Sequence, residues 1–512
     1  QMNFLLAAVL LDDKRYAEAA AEYEKTAYHY PAHERAVEAG YAAVLAYRQH
    51  RQHASRDEQP QAAQRAVTAG LKFADAYPRD ARTPAVLTQI AEDLFAAKDV
   101  ETAATVARRV LALQPPADIA LRRTAWTVVA HSEFERGLYG PAEKSYGELL
   151  TMLPANDARR REIDERLAAS IYRQGEQLRS AGDTRAAVAA FQRVGALAPT
   201  AAIRATADYD AAAGLIALKD WPAAISILEG LRPRLAPEAR GDVGDKLAVA
   251  YMETGQWSQA AREFEAMAQR RGDPAVQREA SWQAAALYEK GGNTDAAMKA
   301  YERYIAAFPR PAAPAIEARH QLAQHYRKKT HAKEHHYWLQ EIIKADRNAG
   351  NERNERTRFL AASAALMLAE PAYDAYRQVQ LKEPLKKTLK EKKARMQAAL
   401  KAYDDAAGYG VAEVATAATY QVAEIYHDLS RALLASQRPK GLNALELEQY
   451  NVLLEAFPFE EKAIEIHETN TKRVQDKIYD KWVKKSFSAL GKLRPVRYAK
   501  LEKGEEYIDA LH

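Results

Sequence analysis

The stretch 215–309 holds one pattern three times: LIALKDWPAAISILEGL at 215–231, AYMETGQWSQAAREFEAM at 250–267 and ALYEKGGNTDAAMKAYERYIAAFP at 286–309. Each copy is an apolar helix, a tight turn and a fixed alanine (Ala224, Ala260, Ala297), with a bulky residue four positions later (Leu228, Phe264, Tyr301). The alanines are 36 and 37 residues apart. Self-similarity at this period predicts stacked helix–turn–helix units, each burying its apolar face against its neighbours.

The pattern extends outward in both directions. Towards the start, Tyr16, Ala19, Tyr23 and Pro31 repeat the second helix, in which a small alanine admits a neighbouring backbone and a proline stops the helix. Further units carry Ala103, then Tyr139, Ala142 and Tyr146, then Ala187 and Phe191, with helix-ending prolines at 115, 154 and 199. The alanine spacings of 39, 45 and 37 residues exceed an ideal repeat of roughly 34, so some helices must be longer than standard. Glycines 137, 182, 255 and 291 fall between helices, where φ > 0 is cheap for them.

These alanine and aromatic placements, with Trp126 and the pair Leu247/Tyr251 in first helices, resemble the tetratricopeptide-repeat (TPR) superfamily over 1–343. That resemblance implies a right-handed superhelix with a groove lined by first helices. The expected organisation is all-α: about nine helix pairs over 1–346, with a loop near 50–60, then a C-terminal domain of longer helices over 347–512. Within it we expect a polar break at 348–356, helices at 359–369, 373–381, 385–407, 411–435, 445–456 and 460–490, a loop at 438–441 and a polar tail. Three runs, 303–319, 444–470 and 479–505, resemble large bacterial envelope TPR proteins ascribed to TonB systems, which accompany ExbB/ExbD-like proton-driven motors. That likeness implies a periplasmic or envelope-associated scaffold for other proteins, and it carries no catalytic residue.

Composition agrees with many short amphipathic helices: 48% hydrophobic residues yet a mean hydropathy of −0.48. The 74 basic and 69 acidic side chains leave a net charge of +5, too small for a general case for nucleic acid. With no cysteine, disulfides, thiolate metal sites and cysteine nucleophiles are excluded. No apolar run approaches the length of a membrane span. The chain opens inside what reads as a repeat's first helix, so it is expected to be a fragment or processed form.

Three constellations carry possible chemistry. His331-Ala332-Lys333-Glu334-His335 spells H-x-x-E-H, and with His320, His325 and His336 it places five of the thirteen histidines within 17 residues. On a helix His331 and His335 share a face and could share a zinc, with Glu334 as base. The plainer reading is a solvated helix face, since Lys328, Lys329 and Lys333 oppose a cation. The basic helix offers Lys386, Lys387, Lys390 and Lys393, beside Lys392 and Arg395, over an apolar stripe of Leu385, Leu389, Met396 and Leu400. It could meet an acidic protein or anionic lipid, or be a solvated face. Counting back from the fixed alanines places Thr127, Tyr172, Tyr209, Asp245 and Trp282 at one first-helix position. Tyr172, Tyr209 and Trp282 there are candidate groove anchors for a partner peptide or helix, or rings packed on the preceding unit. No phosphate-binding loop, dinucleotide fingerprint or serine elbow occurs, so no enzyme and no cofactor are expected.

Overall fold

The computed structural model describes residues 2–31, 34–270, 272–436, 443–453 and 455–499. Among them the chain is helical, with no strand, and divides into two compact units, 1–254 and 255–512. The C-terminal domain expected from 347 on was to continue or cap the repeats. The helix Ala332–Arg347 packs directly on Glu355–Gln378, so the stacking continues across that point. Helix length does change there, from 16 residues to 24.

In the first unit the helices pair as antiparallel hairpins, among them Thr83–Ala96 with Val100–Leu111, Ile119–Glu135 with Tyr139–Met152, and Arg160–Ser180 with Thr184–Leu197. The second unit continues with Pro274–Lys290 and Thr294–Ala307, then Ala312–Lys328 and Ala332–Arg347. Each hairpin turns the same way. One residue takes φ > 0, and the next precedes the second helix with φ near −85°. Its amide bonds back to a carbonyl five residues earlier, as from Asp99 to Leu94, Asp183 to Leu178 and Asn293 to Tyr288. This satisfies the carbonyls that a helix end leaves open. Asp99, Asp183, Asp220 and Asn293 then cap the second helix with their side chains.

The left-handed position is glycine at 137, 182, 255 and 292, but Lys14, Lys98, Lys219 and Thr330 elsewhere. Gly292, not Gly291, is the one that needs φ > 0. The seven alanines 19, 103, 142, 187, 224, 260 and 297 are all buried, and Tyr23, Tyr146, Phe191, Leu228 and Tyr301 are buried one turn on.

Several boundaries differ from expectation. The helix Ala36–His53 runs through His50, leaving a loop of only 54–58 before Gln59–Ala76. Glu355–Gln378 is one helix with Pro371 inside it, where two were expected; packing on both flanking helices outweighs the lost proline N–H bond. The expected helix 460–490 is two, Phe457–Lys472 and Lys481–Leu493. Asp480 ends the break by accepting hydrogen bonds from the amides of Trp482 and Val483. The basic helix spans Leu385–Ala407 as expected, and the next runs Ala412–Ala435. The loop expected at 438–441 and the tail beyond 499 lie outside the described residues.

Buried and half-buried histidines give the fold an acid limit. Burial pulls His131, His320 and His325 below the ordinary histidine value. Below that value the unfolded chain binds protons that the folded chain refuses, so this stability is present at neutral pH and lost on acidification. We expect the thermal midpoint to fall between about pH 7.5 and 5.5, and to fall less in His325→Gln. An identical fall in both proteins would remove His325 from this account.

Candidate functional site

A cavity of about 890 Å³ in the first unit opens where Val100–Leu111, Ile119–Glu135, Tyr139–Met152, Arg160–Ser180 and Thr184–Leu197 meet. Trp126 and Val129 face it from the second of these helices and Leu111 from the first. Together they give it an apolar wall. Two ion pairs flank the wall. Glu133 is buried, yet its carboxylate accepts from Arg108 at 2.7 Å and from the Ser145 hydroxyl at 2.6 Å, which is what makes a buried charge tolerable. Arg193 donates to Glu143 and, at 3.2 Å, to the Gln174 amide oxygen. Lys144 stands exposed at the rim.

An apolar wall between oriented polar groups of both signs is suited to binding an extended polypeptide, whose apolar side chains and amides need both. Only Trp126 was singled out in the sequence, and as a first-helix mark of the repeat. The cavity is assembled from five helices spread over 100–197, and no local spacing reports such a meeting.

The groove candidates behave differently. Tyr172 is buried: its ring packs on Phe191 at 5.3 Å and its hydroxyl donates to Asp210 at 2.7 Å. Burial, with Asp210 beside it, pushes that hydroxyl up to about 12. It is a packing residue and no exposed anchor, because the first helix turns this position onto its own partner helix. Tyr209 is half-buried with the Lys246 ammonium 5.2 Å over its ring. Trp282 is half-buried and meets Tyr301 and Tyr304 edge-on at 5.5 and 5.4 Å. Truncating Trp282 would therefore disturb packing as well as any contact it makes.

The H-x-x-E-H string does not lie on one helix face. His331 occupies the turn position before Ala332–Arg347, equivalent to Asp99 and Asn293 in their hairpins. His335 donates its Nδ1–H to the Ala323 carbonyl at 2.9 Å, which turns its ring into the hairpin. Glu334 is exposed, and among the described residues no three ligand-type side chains converge on one point.

Lys386, Lys387, Lys390 and Lys393 are all exposed on the basic helix, while Leu385, Leu389 and Met396 are buried. Lys392 is the correction. It falls at the i+3 position from Leu389 and i−4 from Met396, inside the buried stripe, and is 5% exposed. Its Nζ donates to the carbonyls of Val379 at 2.9 Å and Tyr376 at 3.3 Å, at the end of Glu355–Gln378. Burial lowers its pKa.

The tetratricopeptide-repeat family model matches residues 169–201 and 279–310. No curated protein matches the chain by sequence. Among solved structures, Naa15/Naa10 bound to HypK is similar over 97% of this chain and 78% of its own, at 12% identity and a TM-score of 0.32. The C-terminal part of a TPR repeat-containing protein from Cytophaga hutchinsonii is similar over 53% of this chain and 97% of its own, at 17% identity and 0.23. A tetratricopeptide repeat protein from Parabacteroides merdae covers 52% and 93%, at 13% identity and 0.23. Among the described residues no helix is long and apolar enough to cross a membrane. Two tetratricopeptide repeats, at 169–201 and 279–310, are thus set in an all-α array of alanine-seated hairpins.

Proposed function

We propose that the chain is a protein–protein interaction scaffold of the bacterial cell envelope that works by holding partners and not by catalysis. The observation that carries the scaffold reading is the Trp126 cavity, which reaches the tetratricopeptide repeat at 169–201 through Gln174 and Arg193: apolar wall, polar flanks of both signs, and an ion pair that already satisfies the buried Glu133. A polypeptide partner is the ligand such a surface fits.

The finer placement, a periplasmic TonB/ExbB/ExbD-like energy-transducing assembly, is supported by the sequence resemblance of 303–319, 444–470 and 479–505. An adaptor for envelope biogenesis or cell division is the second reading, supported by the Tyr-Pro helix ends at Tyr30-Pro31 and Tyr77-Pro78 that periplasmic TPR adaptors share. Cross-linked affinity capture from the cells that make the protein, read by mass spectrometry, separates them. Proton-channel and TonB-type subunits are the expected catch. Outer-membrane assembly or division proteins in their place would overturn the energy-transduction placement, and cytosolic proteins alone would overturn the envelope.

A further inference from the structure

In the second unit, a cavity of about 360 Å³ lies between the helices Ala312–Lys328 and Ala332–Arg347, at the Pro309–Arg310 end of the hairpin. Three cations line it: Arg310, Arg319 and Lys344. Two of them are matched, Arg310 to Glu352 at 2.6 Å and Lys344 to Glu341 at 3.2 Å. Arg319 is not. Among the described residues its one hydrogen bond runs from a terminal nitrogen to the Ala315 carbonyl at 2.8 Å, no carboxylate lies within ion-pair distance, and its Nε is sealed from solvent without a partner.

Arg319 is half-buried, and withdrawing part of a guanidinium from water without a counter-charge is costly. Burial lowers the pKa of Arg319, with Glu341 and Tyr337 opposing from the facing helix, as expected of a cation short of compensation. The exposed side-chain amide of Asn348, also on the cavity wall, offers a second donor.

We propose that this cavity is an oxyanion site, in which the Arg319 guanidinium binds a carboxylate or phosphate group entering between the two helices. The planar fork of an arginine suits either group, and two N–H donors aligned on one oxyanion make a charge-assisted pair stronger than a neutral hydrogen bond. Glu341 is the internal competitor. Paired with Lys344, it leaves the site open; swung to Arg319, it would close it.

The test is a titration of the full chain with sodium acetate and, separately, sodium phosphate at constant ionic strength, following the arginine Nε–H resonances. We expect a saturable shift of the Arg319 resonance with at least one anion. Affinity, read in that variant from the Arg310 resonance on the same cavity wall, should fall by about tenfold or more in Arg319→Lys, which keeps the charge and loses the fork, and should rise in Glu341→Gln. Response to acetate alone assigns a carboxylate, and response to phosphate alone a phosphoryl group. Linear, non-saturating shifts with both anions in the wild type and in Glu341→Gln would overturn the site. So would binding that Arg319→Lys leaves unchanged while its helicity is intact.

Discussion

Gly175→Val lowers stability by about 3 kcal/mol or more, read as the urea midpoint of the full chain. Gly175 lies within the helix Arg160–Ser180, where a β-carbon would stand 2.5 Å from Cε1 and 2.7 Å from Cδ1 of Phe191. That ring cannot step aside. It is buried in Thr184–Leu197 and packed against Tyr172, with the Arg179 guanidinium 5.5 Å from its centre. A helix-interior glycine otherwise forfeits about 1 kcal/mol of propensity relative to alanine, so a substitution that met open space would stabilise. Gly147, in Tyr139–Met152, is that case, since a β-carbon there meets nothing within 4 Å. Gly147→Ala should therefore gain up to about 1 kcal/mol while Gly175→Ala loses stability. The same sign for both would refute the close packing of this repeat.

Lys392→Ala has the second large effect, a loss of about 3–5 kcal/mol. It strips two carbonyls at the end of Glu355–Gln378 of their donor and empties the volume of a four-carbon stem whose Nζ lies 4.3 Å from the centre of the Tyr376 ring. Lys392→Met keeps most of that volume and removes a buried charge, so it should cost less, about 1–2 kcal/mol. The pH dependence follows from the direction of the shift. With the folded pKa below the ordinary lysine value, the unfolded chain holds its proton longer as pH rises. Stability from this group is therefore lowest near neutrality and climbs towards about pH 10. The surrounding tyrosines, Tyr373 and Tyr376, are pushed upward by burial and act in the opposite sense. The readout is thus the difference between wild type and Lys392→Met at about pH 7 and 10, which should widen with pH. A constant difference would place Lys392 in solvent.

The period of the hairpins was legible because it rests on residues that must be small or bulky: Ala224, Ala260 and Ala297 with Leu228, Phe264 and Tyr301. Turns were legible where glycine supplies φ > 0, as at Gly137 and Gly182, and silent at Lys98, Lys219 and Thr330, where lysine or threonine takes the strained angle because two packed helices hold it there. His331 shows the converse. Its spacing to His335 suits a metal, but position in the repeat outranks spacing and makes it the turn residue before a helix. Lys392 was readable in principle, since it falls on the apolar stripe between Leu389 and Met396, but a lysine is counted with its charge before its register. The Trp126 cavity could not be read at all. Its walls come from five helices, and the pairing of Arg108 with Glu133 or of Arg193 with Glu143 exists only once they stack.

The most direct test of the scaffold account is a photoreactive phenylalanine analogue placed at Lys144, on the cavity rim, in the cells that make the protein. A control carries it at Arg185, exposed on Thr184–Leu197 and outside the cavity lining. The account predicts discrete protein adducts at 144 that weaken when Trp126 is also changed to alanine, and none of those adducts at 185. No adduct at 144, or the same adducts at both positions, would contradict it.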